Sequence, residues 1–385
     1  MGMSSDELGA LAPLQQAQTL PGRFYWDPDI YARELEAIFY RSWLYVCREE
    51  DLPSPGSYVT RAIGNENLIL VRDERGEAHA FYNVCRHRGS RLLKEEAGQG
   101  LKNIRCSYHA WTYALDGRLI GAPHTSSLKD FDRARYGLLE LPLASWGGFI
   151  FVNLDERARP LAQQLGDFMR RWSALDLSSL KRAKKAIYQV RANWKILAEN
   201  YSECYHCPSI HPELNRITFY RDSFNDKFFM EGGGEGEYNG GWMLLAEGCE
   251  SMTLTGKSAR PPLKGLSEED RRRIYYYLIF PNMFFSLHPD YLMVHTVWPE
   301  GPLSSRVECE WLFEPEVLAS GRYQTSDATD MWDMINRQDW EACELTQQGV
   351  MSKGYRQGRF SEIEGMVHDF DRFYLMKMGL NKAAG

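Results

Sequence analysis

The chain has 385 residues, enough for two or three domains with an ample buried core. Aromatic residues make up 13 per cent, including 11 Trp and 21 Tyr, which excludes a disordered chain. A net charge of −7 supplies no global basic field for nucleic acid or anionic membrane, so the expected substrate is a small molecule.

Residues 1–22 are rich in Ala, Leu and Gln without strong periodicity and stop at Pro21-Gly22. Met1-Gly2 is not followed by Ser or Thr at position 6, and no charged-then-apolar leader is present, so a cytoplasmic protein is expected. Asp27-Pro28-Asp29 is a helix-start signal, with Tyr31, Leu35, Ile38 and Phe39 at helical spacing behind it. Residues 1–42 are thus expected to form an N-terminal segment and a helix packed on the catalytic domain. Between residues 43 and 155 the texture becomes short apolar strands, such as Leu68–Val71 and Phe149–Val152, separated by Gly turns including Asp116-Gly117.

Residues 156–385 make the remaining domain. Residues 157–176 read as helix, 181–185 as a solvated basic connector, 186–191 as a strand, and Trp194 to His206 as a helical run. A Gly-rich loop around Gly232 precedes the strands of 275–313, and a long helix spans roughly 327–349. The most apolar stretch, Tyr275 to Trp298, is interrupted by Pro281, Asn282, His288, Pro289 and Asp290, which excludes a membrane-spanning helix there. The fold class is α+β.

Two metal-ligand patterns stand out. Cys85-x-His87 and Cys106-x2-His109, with 18 residues between His87 and Cys106, lie in the β-rich region. Two loops that each offer one Cys and one His meet the need of a Rieske [2Fe–2S] cluster, which takes two thiolates on one iron and two imidazoles on the other. A structural zinc also accepts Cys2His2, but zinc fingers usually lead with a Cys pair and keep the histidines together. His79 and His124 have no partner spacing and read as surface or loop residues.

The second pattern is Glu203-x2-His206-x4-His211. Read as helix, Asn200, Glu203 and His206 share one face, and Pro208 ends the helix so that His211 returns to the same metal. A facial triad needs one more carboxylate and leaves positions open for dioxygen and substrate. In the 327–349 helix, Asp339 is flanked by Ile335, Ala342 and Cys343, whereas Asp330 and Asp333 have polar neighbours. A core-facing carboxylate needs a compensating partner, so Asp339 is the candidate third ligand, with a structural buried Asp as the alternative. Glu203 is expected to orient an imidazole and to carry the electron path. Of the eight cysteines, Cys204 and Cys207 form the only close pair, and reduced thiols are expected there.

With these residues in hand, the chain resembles the large (α) subunit of Rieske non-haem iron oxygenases, the aromatic-ring-hydroxylating family. The likeness rests on Asn83-Val-Cys85-Arg-His87-Arg-Gly89, Cys106-Ser-Tyr-His109-Ala-Trp111, Asn200-x2-Glu203-x2-His206-x4-His211, and Asp339 with Gln347 and Gly349. It implies a small antiparallel Rieske domain, a helix-grip catalytic domain, and a head-to-tail homotrimer in which the acidic residue at Glu203 bridges one subunit's cluster to its neighbour's iron. Glutamate there, within Glu-Cys-Tyr-His-Cys, is similar to the carnitine, choline and glycine betaine monooxygenase branch.

The implied activity is hydroxylation of a small substrate by O2 at a mononuclear Fe(II), ending in N-demethylation or monooxygenation of a quaternary ammonium compound. The alternatives are aromatic cis-dihydroxylation, or a Rieske electron-transfer protein without oxygenase activity. No flavin or dinucleotide fingerprint is present, so an external NAD(P)H-dependent flavin/ferredoxin reductase is expected. Arg86, Arg88, Arg91, Lys94, Lys102 and Arg105 are candidates to dock it. Tyr238, Trp242, Tyr277 and Phe284 are candidates for an aromatic box around the cation.

Overall fold

The computed structural model describes residues 9–229 and 236–380, so the Met1-Gly2 start and most of the Gly-rich loop lie outside the described residues. The chain divides into two compact units: Tyr40–Arg159, and the residues up to Phe39 together with those from Pro160 onward.

In the Tyr40–Arg159 unit, strands Tyr58–Ile63, Glu66–Arg72 and Ala78–Tyr82 form an antiparallel meander at the centre of a five-stranded sheet. Ile69, Val71, Phe81, Ile104 and Tyr113 build its core, and the Cys85 and Cys106 side chains belong to the same cluster. The Asn83 side chain anchors the first cysteine loop. Its amide donates to Asn67 Oδ1 at 2.6 Å and to the Leu93 carbonyl at 2.7 Å, while its oxygen accepts from the Leu92 and Leu93 N–H groups.

The other unit is built on a seven-stranded antiparallel sheet in the spatial order 181–190, 304–313, 292–301, 283–287, 273–279, 238–244, 223–227. Helices Trp194–Tyr201 and Ser326–Val350 pack together on it. The long helix buries Met331, Trp332, Ile335, Asn336, Trp340, Cys343 and Gln347, a stripe at the spacing of one helical face. Gln347 accepts the Asn193 N–H at 2.8 Å and donates to the Tyr25 carbonyl at 3.1 Å, joining three segments. Asp27 caps the first helix, Pro28–Glu34, by accepting from Asp29 N–H at 2.8 Å. Among the described residues, no helix is long and apolar enough to cross a membrane.

Three local expectations are corrected. The basic run 181–185 is not a connector but the first half of the strand Lys181–Val190, where Arg182 and Lys185 pair with the buried Glu310 and Glu308 of the neighbouring strand. The expected helix at 157–176 is split into Leu161–Leu165 and Phe168–Arg171 at Gly166, whose φ of 53° breaks the helical path. The helix from Trp194 stops at Tyr201, where Ser202 Oγ donates back to the Ala198 carbonyl at 2.7 Å. Pro208 accordingly opens the next short helix, Cys207–Ile210, rather than closing the previous one; proline fits the first turn because its missing N–H is unused there.

Candidate metal centres

The two cysteine loops of the Tyr40–Arg159 unit repeat one turn. Gly89 donates its N–H to the Cys85 carbonyl at 3.0 Å, and Ala110 donates to the Cys106 carbonyl at 3.1 Å. Both residues stand four after their cysteine and both adopt positive φ, 73° and 58°. Glycine takes that conformation freely; at Ala110 the turn imposes it. The turns point the thiols inward, with Cys85 and Cys106 only 3 and 2 per cent exposed, while His87 is exposed and His109 half-buried. The imidazoles lie with ring centroids 4.6 Å apart, and His87 stacks on Trp111 at 4.9 Å.

Tyr113 Oη lies 3.4 Å from Cys85 Sγ and accepts the Arg86 N–H at 2.9 Å. Burial raises the Cys106 thiol, but N–H groups of Tyr108 and His109 outweigh it and hold the thiol below its ordinary value. Two thiols turned inward, with Cys106 favoured as a thiolate, and two imidazoles turned outward are the donor set that a Rieske cluster takes, so the residues fit that group.

In the other unit, one nitrogen or oxygen from each of His206, His211 and Asp339 lies within 4.8 Å of the others. Asp339 Oδ1 is 2.8 Å from His211 Nε2 and 3.3 Å from His206 Nε2. Both Nδ1 atoms are engaged elsewhere: His211 Nδ1 with Gln338 Oε1 at 2.7 Å, and His206 Nδ1 with Glu203 Oε1 at 2.5 Å. Since those acceptors hold the Nδ1 protons, the Nε2 lone pairs are free to face a metal. Asn200 donates to Asp339 Oδ1 at 3.2 Å. Burial disfavours the Asp339 carboxylate, yet its hydrogen bonds with both histidines bring it down to about 2. Burial also works against a charged His206, which Asp339 and Glu203 nevertheless push up to about 10. The carboxylates therefore hold a positive charge here, and a divalent cation serves that need better than a shared proton. Two neutral nitrogens and one carboxylate fit a mononuclear iron.

Glu203 does not share a helix with His206. It sits in the 202–206 loop, where its second oxygen accepts the N–H groups of Tyr205 and His206. The loop is closed by a disulfide between Cys204 and Cys207, which corrects the expectation of reduced thiols: the two turns after Tyr201 bring the Cα atoms to 5.0 Å, within bridging range. Alkylation of denatured, unreduced protein is expected to label six of the eight cysteines; labelling of all eight would show that the bridge is absent.

A pocket of about 110 Å³ opens beside the His206, His211 and Asp339 side chains. Of the four aromatic-box candidates, only Trp242 lines it. Tyr238 and Tyr277 lie on the opposite side of the sheet against Phe168, with their hydroxyls on Asp167 and Asp226. Phe284 is buried under Tyr201 at 4.4 Å. Trp242 itself is covered by Phe224 at 4.2 Å and by the Arg273 guanidinium at 3.9 Å. The aromatic lining also includes Tyr201, Phe224, Tyr276, Trp332 and Trp340, which sequence reasoning missed as pocket residues. Strand alternation carried the signal for Tyr276: between Tyr275 and Tyr277, it has to face the other way.

Fold and donor sets define a two-centre iron protein, and the comparisons agree. Residues 42–132 match the Rieske [2Fe-2S] domain, and residues 177–380 match the ring hydroxylating alpha subunit (catalytic domain). The chain belongs to this family of Rieske oxygenases: it is an oxidoreductase with a [2Fe–2S] cluster and a mononuclear iron. It is 31 per cent identical to the glycine betaine monooxygenase oxygenase subunit of Pseudomonas aeruginosa, over 94 per cent of this chain and 89 per cent of that one. It is 28 per cent identical to the chloroplastic choline monooxygenase of Spinacia oleracea, over 93 and 78 per cent. A solved structure of the quaternary ammonium Rieske monooxygenase CntA, in complex with gamma-butyrobetaine, superposes with a TM-score of 0.78 at 26 per cent identity, covering 99 per cent of this chain and all of that one.

Proposed function

We propose that this chain is the oxygenase component of a monooxygenase for quaternary ammonium compounds, with Cys85, His87, Cys106 and His109 holding the cluster and His206, His211 and Asp339 holding the iron. The observation that carries the substrate reading is that the pocket presents the aromatic faces of Tyr276, Trp332 and Trp340 and has no Lys or Arg in its described lining. Such a wall accommodates a quaternary ammonium and gives the carboxylate of an aromatic acid no cationic partner.

When bound, the cluster supplies single electrons and the ferrous iron supplies dioxygen activation for hydroxylation. The chain's own residues prepare the site for both. Gln338 and Glu203 keep the Nδ1 protons of His211 and His206, fixing both imidazoles as Nε2 ligands. Asn200 takes part of the Asp339 charge and holds its carboxylate in place. Glu203 is the positioning residue between the surface loop and His206, and we assign it the bridging role in a head-to-tail homotrimer. Exposed aromatic surface stands beside each centre, Tyr108 at 57 per cent and Tyr205 at 56 per cent, which supports subunit contact at both places. Electrons come from a separate flavin/ferredoxin-type NAD(P)H reductase, docked on the basic side chains around the cluster loops.

The test is a product assay with a surrogate reductase, NADH and O2. Quaternary ammonium substrates are expected to yield a hydroxylated product or, from an N-methyl group, a carbinolamine that releases formaldehyde. A cis-diol from an aromatic substrate, with no turnover of any ammonium compound, would overturn the reading.

A further inference from the structure

The quaternary-ammonium reading leaves open what the substrate carries besides its cationic head, and two buried residues on the pocket wall bear on that. His295 is 3 per cent exposed, and its Nε2 lies 3.0 Å from Asn336 Oδ1. The orientation of that amide is set by its other end. Tyr188 gives its hydroxyl proton to Asp333 at 2.6 Å, so it can only accept from Asn336 Nδ2, 3.4 Å away. Asn336 Oδ1 is therefore the atom facing His295, and since a carbonyl oxygen only accepts, the His295 proton sits on Nε2. His295 Nδ1 keeps its lone pair, and it is buried without a hydrogen-bond partner. Burial also drives His295 down to about 4, so the ring is neutral at ordinary pH.

Trp340 follows one turn after Asn336 on the Ser326–Val350 helix, and its Nε1–H is likewise buried without a partner. The two rings lie 6.1 Å apart at 89°, and both residues line the pocket beside His206, His211 and Asp339. Beside the pocket the chain thus holds one unused acceptor and one unused donor, both uncharged. A substrate hydroxyl that reached both would satisfy them together, donating to His295 Nδ1 and accepting from Trp340 Nε1–H. A carboxylate only accepts, so it would set its lone pairs against that of His295, with no Lys or Arg among the described lining residues to balance its charge.

We infer that His295 and Trp340 are specificity-determining residues which select a quaternary ammonium bearing a hydroxyl over one bearing a carboxylate. The inference rests on the quaternary-ammonium reading and narrows it to net-cationic ammonium alcohols.

Calorimetric titration of the iron-loaded enzyme under anaerobic conditions separates binding from turnover. The probes are choline, glycine betaine, tetramethylammonium, and 3,3-dimethylbutan-1-ol, which replaces the cationic nitrogen by carbon. Choline is expected to bind at least about tenfold more tightly than each of the others, ~1.4 kcal/mol. Trp340→Phe removes the N–H donor together with part of the aromatic face; it is expected to weaken choline by about tenfold more than tetramethylammonium, which has no hydroxyl to lose. Glycine betaine binding as tightly as choline, or more so, would overturn this inference and leave the ammonium reading standing. The neutral alcohol binding as tightly as choline would overturn the ammonium reading itself. A Trp340→Phe effect that falls equally on choline and tetramethylammonium would remove the residue assignment. Should that variant fail to fold, the wild-type comparison of choline with glycine betaine decides the selectivity on its own.

Discussion

Asp339→Ala is expected to purify with its cluster intact and its mononuclear iron gone, and oxygenase turnover is expected to fall by at least roughly three orders of magnitude. Asp339 Oδ1 is the one oxygen that meets both His206 and His211, at 3.3 and 2.8 Å. Without it the site retains two neutral imidazoles, whose affinity for a ferrous ion is far below that of a two-His-one-carboxylate set. Asn200 also loses its acceptor. Iron analysis, visible absorption and O2 uptake on one preparation check the result. Absorption from the cluster should be unchanged, because its candidate ligands lie in the separate Tyr40–Arg159 unit. A variant that keeps its mononuclear iron, with turnover within about tenfold of the parent, would show that Asp339 is a structural carboxylate.

Lys195→Met is expected to destabilise the protein by about 3–5 kcal/mol and to lower Tm by roughly 5 °C, although Lys195 touches neither candidate iron site. Lys195 and Glu34 are both fully buried, with Lys195 Nζ 2.5 Å from Glu34 Oε1 and 2.8 Å from Asn193 Oδ1. Glu34 also accepts from Trp194 Nε1 and Tyr374 Oη, at 2.8 and 2.7 Å, so one ion pair ties the first helix to two later ones. Behind it, burial raises the carboxyls of Glu199 and Asp371, Glu199 to about 7, against the pull of Lys195. Methionine keeps much of the volume but leaves this acidic cluster with no cation. The double variant Glu34→Leu/Lys195→Met should recover part of the loss by removing the uncompensated Glu34 charge, while Glu199 and Asp371 stay without their cation and Trp194 Nε1 and Tyr374 Oη lose their acceptor. Thermal denaturation of the three proteins checks this, and a loss below about 1 kcal/mol for the single variant would contradict it.

How much of this was legible in the sequence depended on whether a residue's role was local. The cysteine loops carry their candidate ligands within five residues of each other, and the turns at Gly89 and Ala110 are short-range structures that spacing describes well. Asp339 was legible because a carboxylate in an apolar helical stripe contradicts the pattern around it. The 202–206 loop was not. Its residues are compatible with helix, and what unwinds them is the bond from Ser202 to Ala198, the Glu203 carboxylate folding onto its own backbone, and the disulfide. The basic first half of the strand, 181–185, reads as a connector in the sequence because Glu308 and Glu310, its partners, come more than a hundred residues later. His295 was missed for a related reason. Its tautomer is fixed by a chain through Asn336, Tyr188 and Asp333 that only tertiary structure assembles.

The central claim is that one polypeptide holds two chemically different iron environments. Anaerobically purified protein should contain about three iron ions per chain, two in a [2Fe–2S] cluster and one mononuclear, with the third removed selectively by a chelator while the cluster absorption persists. Preparations that reach only two irons per chain, all of them in the cluster even after anaerobic loading with Fe(II), would contradict the account and leave an electron carrier in place of an oxygenase.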